Sequence, residues 1–245
     1  MTPSPEIVAA LAEHGYIRLP AEEMRARLAE AGVGDMDWQR FAEAWQRMPV
    51  DRYMADGGRY RRRRHAVFRV DSDGSSLRLP RQPHYQSRDY NPLNGGIQRW
   101  FSPVEADTAD GPVTTALLAL CAQCFGALTP DTSDWHVEMH QFRIEAAREL
   151  AGQPTPEGVH RDGVDYVLVT LIGRHNVASG STHIQGPDGT PLGSFTLTEA
   201  GDSVLLDDHR VLHGVTPIVP IDDNSPAWRD ALVVTFARQA PKQAG

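Results

Sequence analysis

Apolar residues recur at helical spacing early in the chain and with a period of two over most of the segment beyond Trp135. Ile7–His14 is a short helical run. Ala21–Ala31 carries Glu22 and Glu23 in its first turn and stops before Gly32, which suits a helix start and end. Met36–Met48 puts Met36, Phe41, Ala44, Trp45 and Met48 on one helical face, and Tyr16–Leu19, closed by Pro20, reads as a strand. Arg64–Val70 alternates, with Ala66, Phe68 and Val70 on one side, and a stretch rich in loop formers comes next (Pro80, Pro83, Pro92, Gly95, Gly96). Val113–Phe125 reads as a buried helix. The expected strands beyond it are His136–Ile144, Val159–Gly163, Tyr166–Ile172, Thr182–Ile184, Gly193–Leu197, Ser203–Leu206, Val211–Ile218 and Ala231–Ala237. Turn signals at Pro187–Gly189, Ala200–Asp202 and Asn224–Pro226 separate several of them. Short, evenly spaced strands predict a mainly β fold with flanking helices, a jelly roll. The expected organisation is one domain over 1–245, with a helical part over about 1–50 packed on a jelly-roll core over about 58–238.

Charge narrows the function classes. The 245 residues carry a formal net charge of -8, which argues against a nucleic-acid partner. Met1–Tyr16 lacks the pattern of a secretory signal, and no apolar run reaches the ~20 residues of a bilayer span. Two cysteines are too few for a disulfide scaffold. Cys121 and Cys124 fall late in an apolar helix and read as core residues. The expectation is a soluble cytoplasmic protein with no membrane partner and a small-molecule substrate. Arg61–Arg64 reads as a solvated or ion-paired run, of which only alternate residues could face a pocket.

The strongest chemical signal is His160-Arg-Asp162. On a strand, residues two apart share a face, so one imidazole and one carboxylate would point together. His213, on a later predicted strand, would complete a face of two histidines and one carboxylate. Such a set leaves positions open on Fe(II) for a keto acid and O2. The far carboxylate of that keto acid needs a cation. Arg229, which opens the last strong strand, offers a planar fork and should share a face with Ala231, Val233 and Thr235. Arg238, Arg174 and Arg143 are the next cations in line. One of Asp207, Asp208 and His209, most simply a turn, could orient a metal ligand.

A rival set is His136, Glu138 and His140, which would share one strand face and could hold a metal in a cupin-like enzyme that uses no 2-oxoglutarate. The bland reading makes that face part pocket wall. A non-catalytic jelly-roll binding protein is the other alternative. His140, Arg143 and Arg174 are the candidate substrate contacts, with His140 or Arg143 inward according to which face of their strand lines the pocket.

Between about Gly57 and Arg238 the chain resembles the bacterial 2-oxoglutarate/Fe(II) dioxygenases that include the L-isoleucine dioxygenases. The segments that carry this are Gly58–Arg63, Tyr90–Gly96 with Arg99, His140–Arg143, Gly158–Gly163, Arg174–Val177, Leu206–Arg210 with His213, and Arg229–Phe236. The resemblance implies a double-stranded β-helix, with His160, Asp162 and His213 as iron ligands and Arg229 as the 2-oxoglutarate anchor. It also implies hydroxylation of a free aliphatic L-amino acid, or sulfoxidation of a thioether one. The chain departs from the family after Asn176-Val177, where Ala178-Ser179-Gly180 replaces an expected glycine pair.

Overall fold

The computed structural model describes residues 3–54, 57–91, 93 and 95–239. Pro92 and Asn94 of the Tyr90–Gly96 segment therefore lie outside the described residues. The chain opens with α1 (Pro5–His14), β1 (Tyr16–Leu19), α2 (Ala21–Glu30) and α3 (Asp35–Glu43). The helical periodicity of Met36–Met48 does not give one continuous helix, because α3 tightens into a 3-10 turn over Ala44–Arg47. That turn still buries Ala44 and Trp45. The Trp45 indole N–H donates to the backbone oxygens of Phe142 and Ala231 at 3.0 and 3.3 Å, which fixes the helical part to the sheet.

Next come β2 (Arg61–Asp71), β3 (Ser76–Arg78), β4 (Ser102–Pro103), α4 (Ala106–Ala109) and α5 (Pro112–Leu128). The remaining strands are β5 (Asp134–Ala146), β6 (Tyr166–His175), β7 (Val177–Ser179), β8 (Ser181–Gln185), β9 (Pro191–Thr196), β10 (Ser203–Asp207), β11 (Leu212–Val215), β12 (Ile218–Pro220) and β13 (Ala227–Arg238). The large sheet runs β1-β10-β6-β13-β5-β2-β3, with β4 beside β2, and two small sheets, β11-β8-β9 and β12-β7, complete the jelly roll.

Period-two alternation divides the long strands between two environments. Trp135, Val137 and Met139 of β5, with Phe68 and Val70 of β2, pack against α5 through Phe125 and its neighbours. The opposite face of β5 turns His136, Glu138, His140 and Phe142 into a cavity. On β13, Arg229, Ala231, Val233 and Thr235 line the same cavity. Val167, Val169 and Leu171 of β6 form a second core with Ile184 of β8.

The stretch Ala106–Leu128 is, contrary to the sequence expectation, long and apolar enough by composition to cross a bilayer. Its apolar side chains, among them Val113, Leu117, Leu120 and Phe125, are instead buried in the core. Cys121 and Cys124 are buried free thiols there, pushed up in pKa by burial.

Two predicted strands are corrected. Val211–Ile218 breaks at Thr216-Pro217, since Pro217 has no N–H to give a ladder, and its halves join different small sheets. Val159–Gly163 is a loop that makes one isolated bridge, His160 to His213. It turns away where Gly163 adopts φ 82°.

Candidate functional site

That single bridge does the work expected of a strand. His160 and His213 exchange both backbone hydrogen bonds at 2.9 Å, which sets their rings side by side, 4.8 Å between centroids. Both ends of the site carry a glycine for a steric reason. A Cβ at Gly163 would lie 2.6 Å from the Tyr90 ring, and one at Gly214 would lie 2.9 Å from the Val159 backbone. Asp208, 1% exposed, accepts from the amides of Asp162, Gly163 and Val164 at 3.1, 2.8 and 3.1 Å. It thereby holds the loop that carries Asp162. Gln86 adds a hydrogen bond to the Asp162 carbonyl, 3.0 Å.

The three side chains converge. Asp162 Oδ1 is 3.6 Å from His160 Nε2, and Asp162 Oδ2 is 3.7 Å from His213 Nε2. Two ligands about 2.1 Å from one ion and at right angles to each other are about 3 Å apart, so little closure is needed to enclose a cation. The His160 Nδ1–H donates to the Gly158 carbonyl at 3.0 Å, which turns Nε2 toward the site. Asp162 Oδ2 is buried with no hydrogen-bond partner.

The electrostatics call for a positive charge. Burial pushes the Asp162 carboxyl up, but His160 and His213 outweigh it and hold the group well below the usual carboxylate range. Burial likewise opposes charge on His160, yet Asp162 and Glu157 raise its pKa to about 9. Burial and the neighbouring His160 lower His213 to about 4. One carboxylate thus draws a proton onto one histidine where a metal ion would supply the charge instead. Asp208 is pushed up to about 6 by burial and by the nearby Asp162.

The cavity beside these residues measures about 300 Å³. Arg229, 3% exposed, stands in its wall, with Nε and Nη2 unpartnered. Burial and the neighbouring Arg174 lower its pKa to about 10. His140 also lines the cavity, whereas two other candidate substrate contacts do not. Arg143 lies on the opposite face of β5, where Asp230 accepts from its Nε and Nη2 at 2.7 and 2.6 Å, and Gln46 accepts from Nη1 at 3.2 Å. Arg174 is spent on the carbonyls of Leu197, Val177 and Ser179 at 3.2, 2.7 and 3.1 Å. Arg238 is bound to Asp165. Arg61 and Arg63 face the cavity, while Arg62 and Arg64 pair outside with Glu145 and Glu105.

A second cluster was only half visible in the sequence. His65, His84 and His140 all approach Glu138 Oε2, at 3.2 Å for His65 and 3.3 Å for His140, with the His84 Nδ1 closer still. His136 lies 3.6 Å from Oε1. The donor set looks suited to a metal, but its protons argue otherwise. Arg63 Nη2 sits 3.0 Å from His140 Nδ1. An arginine only donates, so that nitrogen carries the lone pair and the His140 proton is on Nε2, aimed at Glu138. Burial, then the nearby Arg63, lowers the pKa of His140 well below normal, and burial lowers that of His84 to about 4. His140 is therefore a neutral donor to Glu138, whose carboxyl, despite burial, the surrounding imidazoles hold well below the usual carboxylate range. His65, His84 and Arg99 lie far from Glu138 in the chain, and only the Tyr90–Arg99 resemblance pointed toward that region.

Comparison with known proteins places the chain in a family. A family model described as 2OG-Fe dioxygenase matches residues 42–235. The chain is 25% identical, over 98% of its length and 98% of the relative's, to 3(1)-hydroxy-L-isoleucine 4-dioxygenase of Pantoea ananatis. A bsmA homologue from Methylobium petroleophilum superimposes with TM-score 0.87 and 33% identity, over 98% of this chain and 96% of that one. The Fe(II)/α-ketoglutarate-dependent dioxygenase TqaL shares the fold, with TM-score 0.78 and 21% identity over 97% of this chain and 87% of that one. The chain belongs to the 2OG-Fe dioxygenase family, enzymes that use Fe(II), 2-oxoglutarate and O2.

Proposed function

We propose that His160, Asp162 and His213 hold the Fe(II), that Arg229 takes the far carboxylate of 2-oxoglutarate, and that the enzyme hydroxylates a free aliphatic L-amino acid or a similar small molecule. The observation that carries the metal assignment is the convergence of these three side chains, with Asp162 Oδ2 buried and unpartnered among them. Two histidines and one carboxylate are the donor set of an iron with open positions. Support for the amino-acid substrate is the name of the Pantoea relative and a cavity of about 300 Å³.

When bound, Fe(II) with 2-oxoglutarate activates O2 to oxidise a substrate C–H bond. The chain's own residues do the positioning. Asp208 and the His160–His213 bridge fix the metal-binding loop. Arg229 sets the direction of the keto acid through its free Nε and Nη2 edge, backed by the small side chain of Ala231 on the same face. Tyr90 lies over Gly163 and closes one side of the cavity.

The test needs no knowledge of the substrate. Metal-free protein given Fe(II) and 2-oxoglutarate without O2 should develop a weak visible charge-transfer band that requires both additions and is lost in Asp162→Ala. Succinate release on adding aliphatic amino acids and O2 then tests the substrate class. A full band in Asp162→Ala would contradict the ligand assignment.

A further inference from the structure

Two guanidinium groups stand in the cavity wall with the same edge free. One is Arg229. The other is Arg99, which is 1% exposed and whose Nε and Nη2 also have no hydrogen-bond partner. Nε and Nη2 form the side-on edge of arginine, which grips a carboxylate through two parallel N–H···O bonds. A buried charge left unpaired is strongly unfavourable, so this edge calls for an anion.

The other cations of this wall are committed. Arg61 pairs with Asp51 at 2.7 Å. Arg63 gives Nη2 to His140 and lies 3.9 and 4.6 Å from the ring centroids of Phe101 and Phe142, so its unpartnered Nε does not form a free two-nitrogen edge. Arg99 remains, held by backbone hydrogen bonds to and from His84 of 2.9 and 3.0 Å. His84 in turn meets Glu138 through Nδ1. One short bridge therefore positions both a free cation and a fixed carboxylate on the cavity wall. Glu138 Oε2 is filled by imidazoles, while among the described residues Oε1 pairs with His136 alone, at 3.6 Å.

We infer that Arg99 and Glu138 are the head-group site for an α-amino acid, Arg99 taking its carboxylate and Glu138 its ammonium. This rests on the amino-acid reading above and deepens it. The reaction brings two carboxylates to be anchored, that of the co-substrate at Arg229 and that of the substrate at Arg99. His65, His84 and His140 are then positioning residues that keep Glu138 ionised and in place.

Equilibrium calorimetry without O2, on protein loaded with Fe(II) and 2-oxoglutarate, tests this. The probes are L-isoleucine, L-leucine, L-valine and L-methionine, with the amide and the deamino acid of whichever binds tightest. Arg99→Met should weaken the acid about 100-fold, and converting the acid to its amide should weaken wild type by a similar factor. The amide should bind Arg99→Met no worse than the acid does, because each change removes the same contact. Glu138→Gln and the deamino acid should show the same non-additivity. The affinity of Arg99→Met for 2-oxoglutarate should stay within about twofold of wild type, which separates this site from Arg229 and excludes misfolding. Wild-type affinity in Arg99→Met, or a loss confined to 2-oxoglutarate, would overturn the assignment. So would failure of every probe to bind while the Fe(II)–2-oxoglutarate band forms, which would leave the iron assignment standing. If the band itself fails, the iron assignment falls, and the same titrations on metal-free protein decide the head-group site.

Discussion

Two clusters of histidines around a carboxylate share one cavity, and they differ in what binds the far nitrogen of one ring in each. Around Asp162, the Gly158 carbonyl takes the Nδ1 proton of His160 and turns Nε2 inward, and one carboxylate oxygen is left without a partner. Around Glu138, Arg63 claims the Nδ1 lone pair of His140, so Nε2–H points inward and the carboxylate oxygen is filled. The same residue types thus give a place for a cation in one case and a fixed anion in the other. Residue type and distance alone do not separate them; the hydrogen bonds on the far sides of His160 and His140 do.

The largest expected effect on this contrast comes from Asp162→Ala. At 100 times its dissociation constant, Fe(II) should stabilise wild type by about 2.7 kcal/mol against thermal unfolding, and the variant not at all. Anaerobic thermal scans with and without metal read this directly.

Arg229→Met should come next. It should weaken 2-oxoglutarate binding about 100-fold while leaving Fe(II) affinity unchanged, as titration of the charge-transfer band would show. An unchanged titration would move the anchor elsewhere in the cavity.

Asp208→Ala removes the acceptor for three loop amides without touching a ligand side chain. Fe(II) affinity should fall about tenfold, the scale expected when support behind a ligand is lost.

Arg63→Met sharpens the contrast with the smallest effect. With its donor gone, the His140 proton can move to Nδ1 and expose the Nε2 lone pair. A second metal equivalent should then appear in equilibrium dialysis, at least about tenfold weaker than the first. Its absence would show that the hydrogen bond from Arg63 is not what keeps metal out.

How much of this was legible in the sequence depended on how local the signal was. β1 was readable to the residue because Gly15, at φ 77°, and Pro20 bracket it. The face Arg229, Ala231, Val233 and Thr235 came from strand periodicity. The convergence of His160, Asp162 and His213 was expected from strand geometry, whereas the loop that carries Asp162 is held by Asp208 and one bridge rather than by a strand. The departure at Ala178–Gly180 falls on a turn that suits glycine. Ser179 and Gly180 both adopt positive φ, 64° and 77°, which glycines meet without strain. The choice between His140 and Arg143 stayed open because alternation tells which residues share a face but not which face points inward; the structure turns His140 inward. His65 and His84 were illegible as partners of Glu138, because long stretches of chain fold between them and no local pattern links them.

The most direct test of the account is the number of Fe(II) ions bound per chain, measured by anaerobic equilibrium dialysis in wild type, Asp162→Ala and Glu138→Gln. The account predicts one, none and one. Two ions in wild type, or loss of the single ion in Glu138→Gln rather than in Asp162→Ala, would contradict it.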